Sequence, residues 1–353
     1  MISTKIVKID PLNPREDYLK EAAAILAKGG LVIMPTETVY GIAANMLNPD
    51  TIERLSAIKQ RPKDKPFSLH IAEKLKVEDF ARHIPVSAYR LMDRFWPGPL
   101  TLILKSVREG TIGLRMPDNE IALKIIDYAR VPVVCPSANI SGKEAPVDFK
   151  EAIKDLNGQV DFAIDAGSTA LKMESSVVDL TVNPPQILRE GALKKEAIEY
   201  ELKKKTVLFV CTGNSCRSVM AEGLLKRRLK EKGRDEVEVL SAGIMMAGGL
   251  SATEETRELL KREGIDVSGH RSQRLTREMI KKSDLILAME RLHEEGILSL
   301  APEVKNRVFL LKEFAKIDDD NLNIHDPIGR SVEFYARTFA VIQEAVERIA
   351  AII

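Results

Sequence analysis

Two cysteines five residues apart, with an arginine and a serine directly behind them, stand in "VLFVCTGNSCRSVMAEGLLK" (207–226). A zinc site would need two further ligands at compatible spacing, and the third cysteine, Cys135, lies far upstream. A structural disulfide would need an oxidising compartment. An odd cysteine count and an N-terminus, "MISTKIVKIDPLNP", without an apolar leader core point to a reducing, cytoplasmic one. A nucleophile fits best. Cys211 ends an apolar strand, Gly213 and Asn214 can aim successive N–H groups inward, and Arg217 and Ser218 open a helix. A thiolate placed there meets N–H donors, a helix N-terminus and a guanidinium, each of which lowers a cysteine pKa. The same concavity, completed by Ser215 and Cys216, suits a phosphate dianion.

A second set of residues lies in the first half of the chain. "PTETVYG" (35–41) ends a strand with two hydroxyls, a carboxylate and a glycine, which alone is a capped turn. Lys59 and Arg61 stand two apart before Pro62. In extended chain both face one way and can meet one anion, although a solvated surface pair satisfies the same spacing. Arg115 sits near the end of the otherwise apolar "IGLRMP", where a lone charge needs a partner such as a substrate carboxylate. "CPSANISGKEAP" (135–146) is a strand-ending loop with hydroxyl, amide and backbone donors for phosphate. "FWPGPLTLIL", with the only tryptophan, reads as structural.

The elements that must carry these residues fall into two blocks. "REDYLKEAAAILAKGG" has helical apolar spacing and a Gly-Gly stop. Strands are expected at "LVIMPTETVYG", "PFSLHI", "LTLILK", "TIGLRMP", "VPVVCPS", "DFAIDAG", "SSVVDL" and "PQILRE", with helices between several of them, which predicts a mixed α/β sheet. After the charged stretch "REGALKKEAIEYELKKK" the pattern changes to a clean β-α-β series. It runs through "TVLFVC", "SVMAEGLLKRRLKEKG", "VEVLSAG", "SATEETRELLKREG", "SDLILAM" and "NRVFLL" to a final helix from Ser331, the signature of a doubly wound, Rossmann-like parallel sheet. The expected domains are 1–203 and 204–353. They carry 28 basic and 28 acidic residues, and 25 and 24, so neither is a globally basic RNA-binding domain. No apolar run approaches membrane-spanning length.

In their order along the chain, the first-half motifs, closing with "DAG", "ESSVVDL" and "ILREG", resemble the Sua5/YrdC/YciO family, which includes the threonylcarbamoyl-AMP synthases. The resemblance covers about residues 7–192. It implies carboxylation of L-threonine on nitrogen by bicarbonate, attack of the carbamate on the α-phosphate of ATP, and release of pyrophosphate. The product is the precursor of the t6A modification beside certain tRNA anticodons. By the same resemblance Thr38, His70, Arg115 and Ser175 bind threonine, and Lys59, Arg61, Thr111, Ser137, Asn139 and Arg189 bind the nucleotide. ATP enters as a substrate, Mg²⁺ accompanies it, and neither a tightly bound cofactor nor a protein metal site is expected. Transfer RNA and other proteins of the t6A pathway are candidate partners. Longer members carry a further domain after a linker, and here a different domain occupies that place. The reading from another class is a non-catalytic RNA- or nucleotide-binding module joined to an active second enzyme.

The loop "VCTGNSCRSVMAE", with "SAG" (241–243), "GIDVSGHRSQRL" (264–275), "DLILAM" (284–289) and "HDP" (325–327), resembles the low-molecular-weight protein tyrosine phosphatase family. That implies in-line attack by Cys211, phosphoryl binding by Arg217 and thiolate stabilisation by Ser218. Asp326 would act as acid and then base, and Cys216 would be a spare thiol able to guard Cys211 under oxidation. Val219 stands where many members have proline. Tyrosine-specific members place aromatics after the Asp-Pro, whereas Ile328 and Gly329 follow here. At the Ser215 position a bulky aliphatic goes with phosphotyrosine and a small hydroxyl residue with phosphoarginine, so phosphoarginine is favoured. A thioredoxin-linked arsenate reductase can carry the same loop, but it needs downstream cysteines, and none follows Cys216.

Overall fold

A computed structural model of the chain describes residues 3–61, 67–245 and 248–353. It divides between Leu202 and Lys203 into two compact units, each with its own sheet.

The first unit holds ten strands: β1 (Lys5–Lys8), β2 (Val32–Met34), β3 (Gly41–Asn45), β4 (Leu69–His70), β5 (Leu100–Lys105), β6 (Thr111–Arg115), β7 (Val133–Val134), β8 (Phe162–Asp165), β9 (Ser176–Asp179) and β10 (Gln186–Arg189). Their order across the sheet is β1-β8-β2-β3-β7-β4-β6-β5-β9-β10, with parallel and antiparallel pairs mixed as expected. Both faces are buried. Ile33, Ile42 and Ala163 join one apolar cluster, while Val32, Met34, Ala43, Phe162 and Ile164 point into the other. A strand covered on both sides reads as a continuous apolar run, which is why β2 and β8 stand out in the sequence. Helices Glu16–Ala27 and Glu120–Ala129 cover the second face through Leu19, Leu26, Ile121 and Ile125.

Two strands of this sheet are absent from the sequence reading. β1 buries only Val7, and β3, "GIAAN", has a single β-branched residue, Ile42, and no aromatic among the residue types that mark strands. β3 is a strand because it pairs with β2 on one side and β7 on the other. Pro66, the first residue of the expected strand "PFSLHI", lies outside the described residues.

The second unit is a four-stranded parallel sheet of β11 (Lys205–Cys211), β12 (Val237–Gly243), β13 (Leu285–Ala288) and β14 (Val308–Leu310), ordered β12-β11-β13-β14. Val207 and Phe209 pack on helices Arg217–Glu231 and Val332–Ala350, and Leu208 and Val210 face the cluster with Ile280 and Ile297. The chain leaves β11 towards β12 and later crosses back to β13. Cys211 therefore ends β11 at the point where the strand order reverses, the place where doubly wound sheets bind ligands. No helix among the described residues is long and apolar enough to cross a membrane.

Candidate active sites

A cavity of about 570 Å³ in the first unit opens over the ends of β4, β5, β6 and β9. Seven of the ten predicted residues line it: Arg61, His70, Thr111, Arg115, Ser137, Ser175 and Arg189. His70 and Arg115 are brought together because β4 and β6 pair in parallel with these two in register. Arg115 is buried, and its Nη2 donates to Glu37 Oε1 and Thr38 Oγ1, both at 2.7 Å. The counter-ion that its position in an apolar strand demands is thus Glu37, itself buried, which the sequence reading left without a role. The carboxylate inside "PTETVYG" was the available signal, since a buried guanidinium requires one.

Arg115 Nε, Glu37 Oε2 and His70 Nδ1 are buried without a hydrogen-bond partner among the described residues. Burial, and then the cation of Arg115, lower His70 to about 3, so this imidazole is neutral at any working pH. Thr38 is fully buried behind the cavity wall. Its hydroxyl meets Thr36 Oγ1 at 2.8 Å, and it holds Arg115 from behind.

Lys59 and Arg61 do not lie in extended chain. Lys59 ends the helix Pro49–Lys59 and Gln60 is left-handed, with φ 49°, so the two cations diverge. Arg61 lines the cavity with its guanidinium 5.1 Å from the centre of the Phe67 ring. Lys59 is 2% exposed and donates to Ser137 O at 2.5 Å, Asn139 O at 2.7 Å and Asn139 Oδ1 at 3.3 Å. Lys59 and Asn139 therefore brace the 137–139 loop from behind, while Ser137 faces the cavity. On the opposite rim Ser175 Oγ lies 2.9 Å from Thr101 Oγ1 and accepts from Arg189 Nη2 at 3.2 Å, and Arg189 Nη1 pairs with Glu174 at 2.7 Å. Among the described residues Glu174 is the one carboxylate-bearing residue on the lining, and they hold no carboxylate cluster that could cage Mg²⁺. Cys135 also lines the cavity, and burial pushes its thiol up to about 12, which leaves it inert.

In the second unit the loop from Cys211 to Ser218 closes around the Cys211 sulfur. The Asn214 N–H donates to Sγ at 3.2 Å and Ser218 Oγ lies 3.0 Å away. Asn214 holds this shape in the left-handed region, φ 52°, where few side chains other than asparagine sit comfortably. Its Nδ2 donates to Ser218 Oγ at 3.0 Å and Ser241 Oγ at 2.7 Å, its Oδ1 accepts the Gln273 N–H at 2.9 Å, and its carbonyl meets His270 Nε2 at 2.7 Å. With a lone pair already filled by Asn214, the Ser218 proton is free to turn towards Cys211. A Cβ at Gly243 would fall 2.7 Å from Thr212 O, so the end of β12 must be glycine for the loop to pass.

Arg217 is 1% exposed. Its Nη1 donates to Glu290 Oε2 at 2.6 Å and Ile324 O at 2.7 Å, and its Nη2 donates to Asp326 Oδ2 at 2.5 Å and Thr212 Oγ1 at 3.1 Å. Its Nε has no partner among the described residues. Arg217, Ser218 and Asp326 thus converge on the Cys211 loop. Glu290, His293 and Thr212, which the sequence reading passed over, complete the surroundings of the guanidinium. A helix-start signal was present, because Glu290 and His293 form a capping box at helix Arg291–Leu300. Cys216 Sγ lies 3.4 Å from Thr253 Oγ1 and 3.5 Å from the Tyr335 hydroxyl, and all three cysteines are free thiols. Ser215 is buried, with its hydroxyl 3.8 Å from Cys216 Sγ. Ile328 is exposed beside Asp326.

Residues 24–191 match the family model for Sua5, YciO and YrdC, described as telomere recombination. Residues 206–353 match the model described as low molecular weight phosphotyrosine protein phosphatase. A threonylcarbamoyl-AMP synthase from Pyrococcus abyssi is 40% identical over 218 residues, which are 59% of this chain and 64% of that protein. The chain therefore spans under two thirds of that relative. The crystal structure of P. abyssi Sua5 complexed with L-threonine is 29% identical, covers 87% of this chain and 99% of its own, and superposes with a TM-score of 0.55. The YwlE arginine phosphatase from Geobacillus stearothermophilus is 37% identical over 42% of this chain and 91% of its own, with a TM-score of 0.38.

Proposed function

From the chain's membership of the Sua5/YciO/YrdC family through residues 24–191 and of the low-molecular-weight phosphatase family through residues 206–353, we propose that it is a bifunctional enzyme. The first unit forms L-threonylcarbamoyladenylate from L-threonine, bicarbonate and ATP. The second hydrolyses phosphorylated protein side chains through Cys211.

For the first activity the supporting observation is the unpaired Nε of buried Arg115 beside neutral His70, in a cavity whose other rim carries Arg61 and Arg189. The threonine carboxylate takes the Arg115 Nε–H, and Glu37 keeps the guanidinium compensated when that substrate is absent. His70 contacts the threonine head group without adding charge. Arg61, Ser137 and Arg189 hold the nucleotide phosphates, and Lys59 and Asn139 keep the 137–139 loop in place. The carbamate oxygen bonds the α-phosphorus as the bond to pyrophosphate breaks. The protein contributes position and charge rather than covalent help. Mg²⁺ arrives on ATP, where it neutralises phosphate charge. The product serves t6A formation, with tRNA and the other proteins of that pathway as partners.

For the second activity the supporting observation is the Cys211 sulfur surrounded by the Asn214 N–H and Ser218, next to a buried guanidinium with one free donor. The sulfur bonds phosphorus while the leaving group departs with a proton from Asp326. Asp326 then takes a proton from the water that releases phosphate from Cys211. Phosphoarginine is the favoured substrate. Ser215 offers a hydroxyl held only by a long contact to Cys216, and Ile328 and Gly329, rather than aromatic rings, follow the Asp-Pro.

Turnover of ATP to pyrophosphate that requires both threonine and bicarbonate tests the first activity, and its absence from folded protein removes that reading. Cys211→Ser is expected to abolish aryl phosphate hydrolysis and to leave the ATP reaction unchanged.

A further inference from the structure

The Thr212 hydroxyl has an unbalanced set of hydrogen bonds. Its oxygen lies 3.1 Å from Arg217 Nη2 and 2.9 Å from His293 Nε2. The guanidinium can only donate. The imidazole must donate as well, because the backbone N–H of Glu290 reaches His293 Nδ1 at 3.0 Å and occupies its lone pair. The neutral ring therefore carries its proton on Nε2. Burial and the nearby Arg217 keep it neutral, with a pKa of about 3. Both lone pairs of the Thr212 hydroxyl are thus filled, and its own proton must point elsewhere. No acceptor for it stands among the described residues.

Thr212 directly follows the nucleophile in the chain and is half-buried. The guanidinium it touches has a second unsatisfied donor, the buried Nε–H. Two uncommitted donors therefore flank the Cys211 loop, one on Arg217 and one a single hydrogen bond away from it. An acceptor with several oxygens satisfies both, and a phosphoryl group has three. We propose that the Thr212 hydroxyl is a catalytic residue that donates to a phosphoryl oxygen of the substrate, and that His293 is the positioning residue that turns its proton there. This rests on the reading of the second unit as a phosphatase. Glu290 ties the arrangement together, since its backbone sets the His293 tautomer while its side chain holds Arg217 Nη1.

Three variants of the full-length protein test the assignment: Thr212→Val, which removes the hydroxyl and keeps the branching, Thr212→Ala, and Thr212→Ser. Two quantities are read for each, kcat on aryl phosphates of differing leaving-group acidity and the calorimetric affinity for inorganic phosphate. Loss of one donor to a phosphoryl oxygen is expected to lower kcat about 10²- to 10³-fold and phosphate affinity several-fold in the valine and alanine variants, with the serine variant close to wild type. The loss is expected to be the same for every leaving group, since the contact is to phosphoryl oxygen. His293→Gln is expected to impair kcat in the wild-type background and to add nothing to Thr212→Val, whereas a packing defect would add in full. Unchanged phosphate affinity in both the valine and alanine variants overturns the proposal. So does a loss that grows with leaving-group basicity, which would place Thr212 behind Asp326 instead. The affinity measurement needs no turnover, so it decides the role of Thr212 even if no aryl phosphate is hydrolysed.

Discussion

The Arg217 guanidinium lies 2.5 Å from the Asp326 carboxylate, so the residue expected to hold the phosphoryl group is paired with the residue expected to protonate the leaving group. A phosphoryl oxygen that takes Nη2 must displace a carboxylate oxygen already there. In the proposed reaction Asp326 is therefore expected to oppose anion binding while it serves the chemistry.

The Asp326→Asn variant separates these effects because they have opposite signs. Turnover is expected to fall by about 10²- to 10⁴-fold, the usual contribution of a positioned acid–base group, and to fall most for poor leaving groups. Inorganic phosphate is expected to bind several-fold more tightly, since Arg217 is released from a charged competitor. The inhibition constant of phosphate against a reactive aryl phosphate checks the second half. Weaker phosphate inhibition in Asp326→Asn would show that the pair does not compete with the substrate.

In the first unit, the Arg115 and Glu37 side chains are 6% and 7% exposed. Removing one partner from a buried ion pair costs about 3–5 kcal/mol, because the remaining charge is stranded. Glu37→Ala is expected to lower the melting temperature of the transition that responds to L-threonine. Saturating threonine should restore more of that stability in the variant than it adds to the wild type, because its carboxylate replaces the lost counter-ion. Calorimetric scans of the full chain with and without threonine measure this. Equal stabilisation of both proteins would mean that threonine does not meet Arg115.

Lys59 predicts a pH dependence. Burial, with Arg61 beside it, lowers its pKa from 10.5 to about 8. Folding thus disfavours the cation, and the penalty is present at every pH below about 8. It is relieved as pH rises from about 8 towards 10.5, where the unfolded chain still holds the proton, so the first unit gains stability across that window. Catalysis moves the other way. The neutral amine has two N–H donors for the three acceptors on Ser137 and Asn139, and the phosphate-facing loop loosens. The value of kcat/KM for ATP is expected to fall about tenfold per unit above pH 8. Lys59→Arg, always charged, should move that fall out of range, and a wild-type profile flat to about pH 9.5 would falsify the role given to Lys59.

The parts legible in the sequence are those made by contiguous residues. The Cys211 loop is a strand, a turn and a helix start in one run, and its ligating groups are neighbours in the chain before folding brings anything together. β2, β5 and β8 are legible because strands buried on both faces read as largely apolar runs. β3 was hidden, since "GIAAN" is a strand only through its partners. Glu37 meets Arg115 across 78 residues and His293 meets Thr212 across 81, and the packing of distant loops and elements that makes such contacts leaves no local mark. Lys59 and Arg61 misled for a local reason. A glutamine, Gln60, takes a left-handed conformation that its residue type does not announce.

Ser215 is the residue expected to set the substrate preference. It is 8% exposed, and its hydroxyl has one long contact, 3.8 Å to Cys216 Sγ, so it remains free to accept an N–H from a guanidinium leaving group. Ser215→Thr keeps that acceptor and is expected to keep the preference for phosphoarginine peptides. Ser215→Ile replaces it with apolar surface. A guanidinium then loses its partner while an aryl ring gains a contact, and unpaired polar groups weigh more than added methyl groups in such discrimination. The ratio of kcat/KM for phosphoarginine over phosphotyrosine peptides is expected to fall by at least about tenfold in Ser215→Ile, mostly through loss of the arginine reaction. Competing the two peptides at equal concentration gives this ratio directly. A wild-type preference for phosphotyrosine, left unchanged by the isoleucine, would assign the selectivity to Ile328 and the residues around it instead.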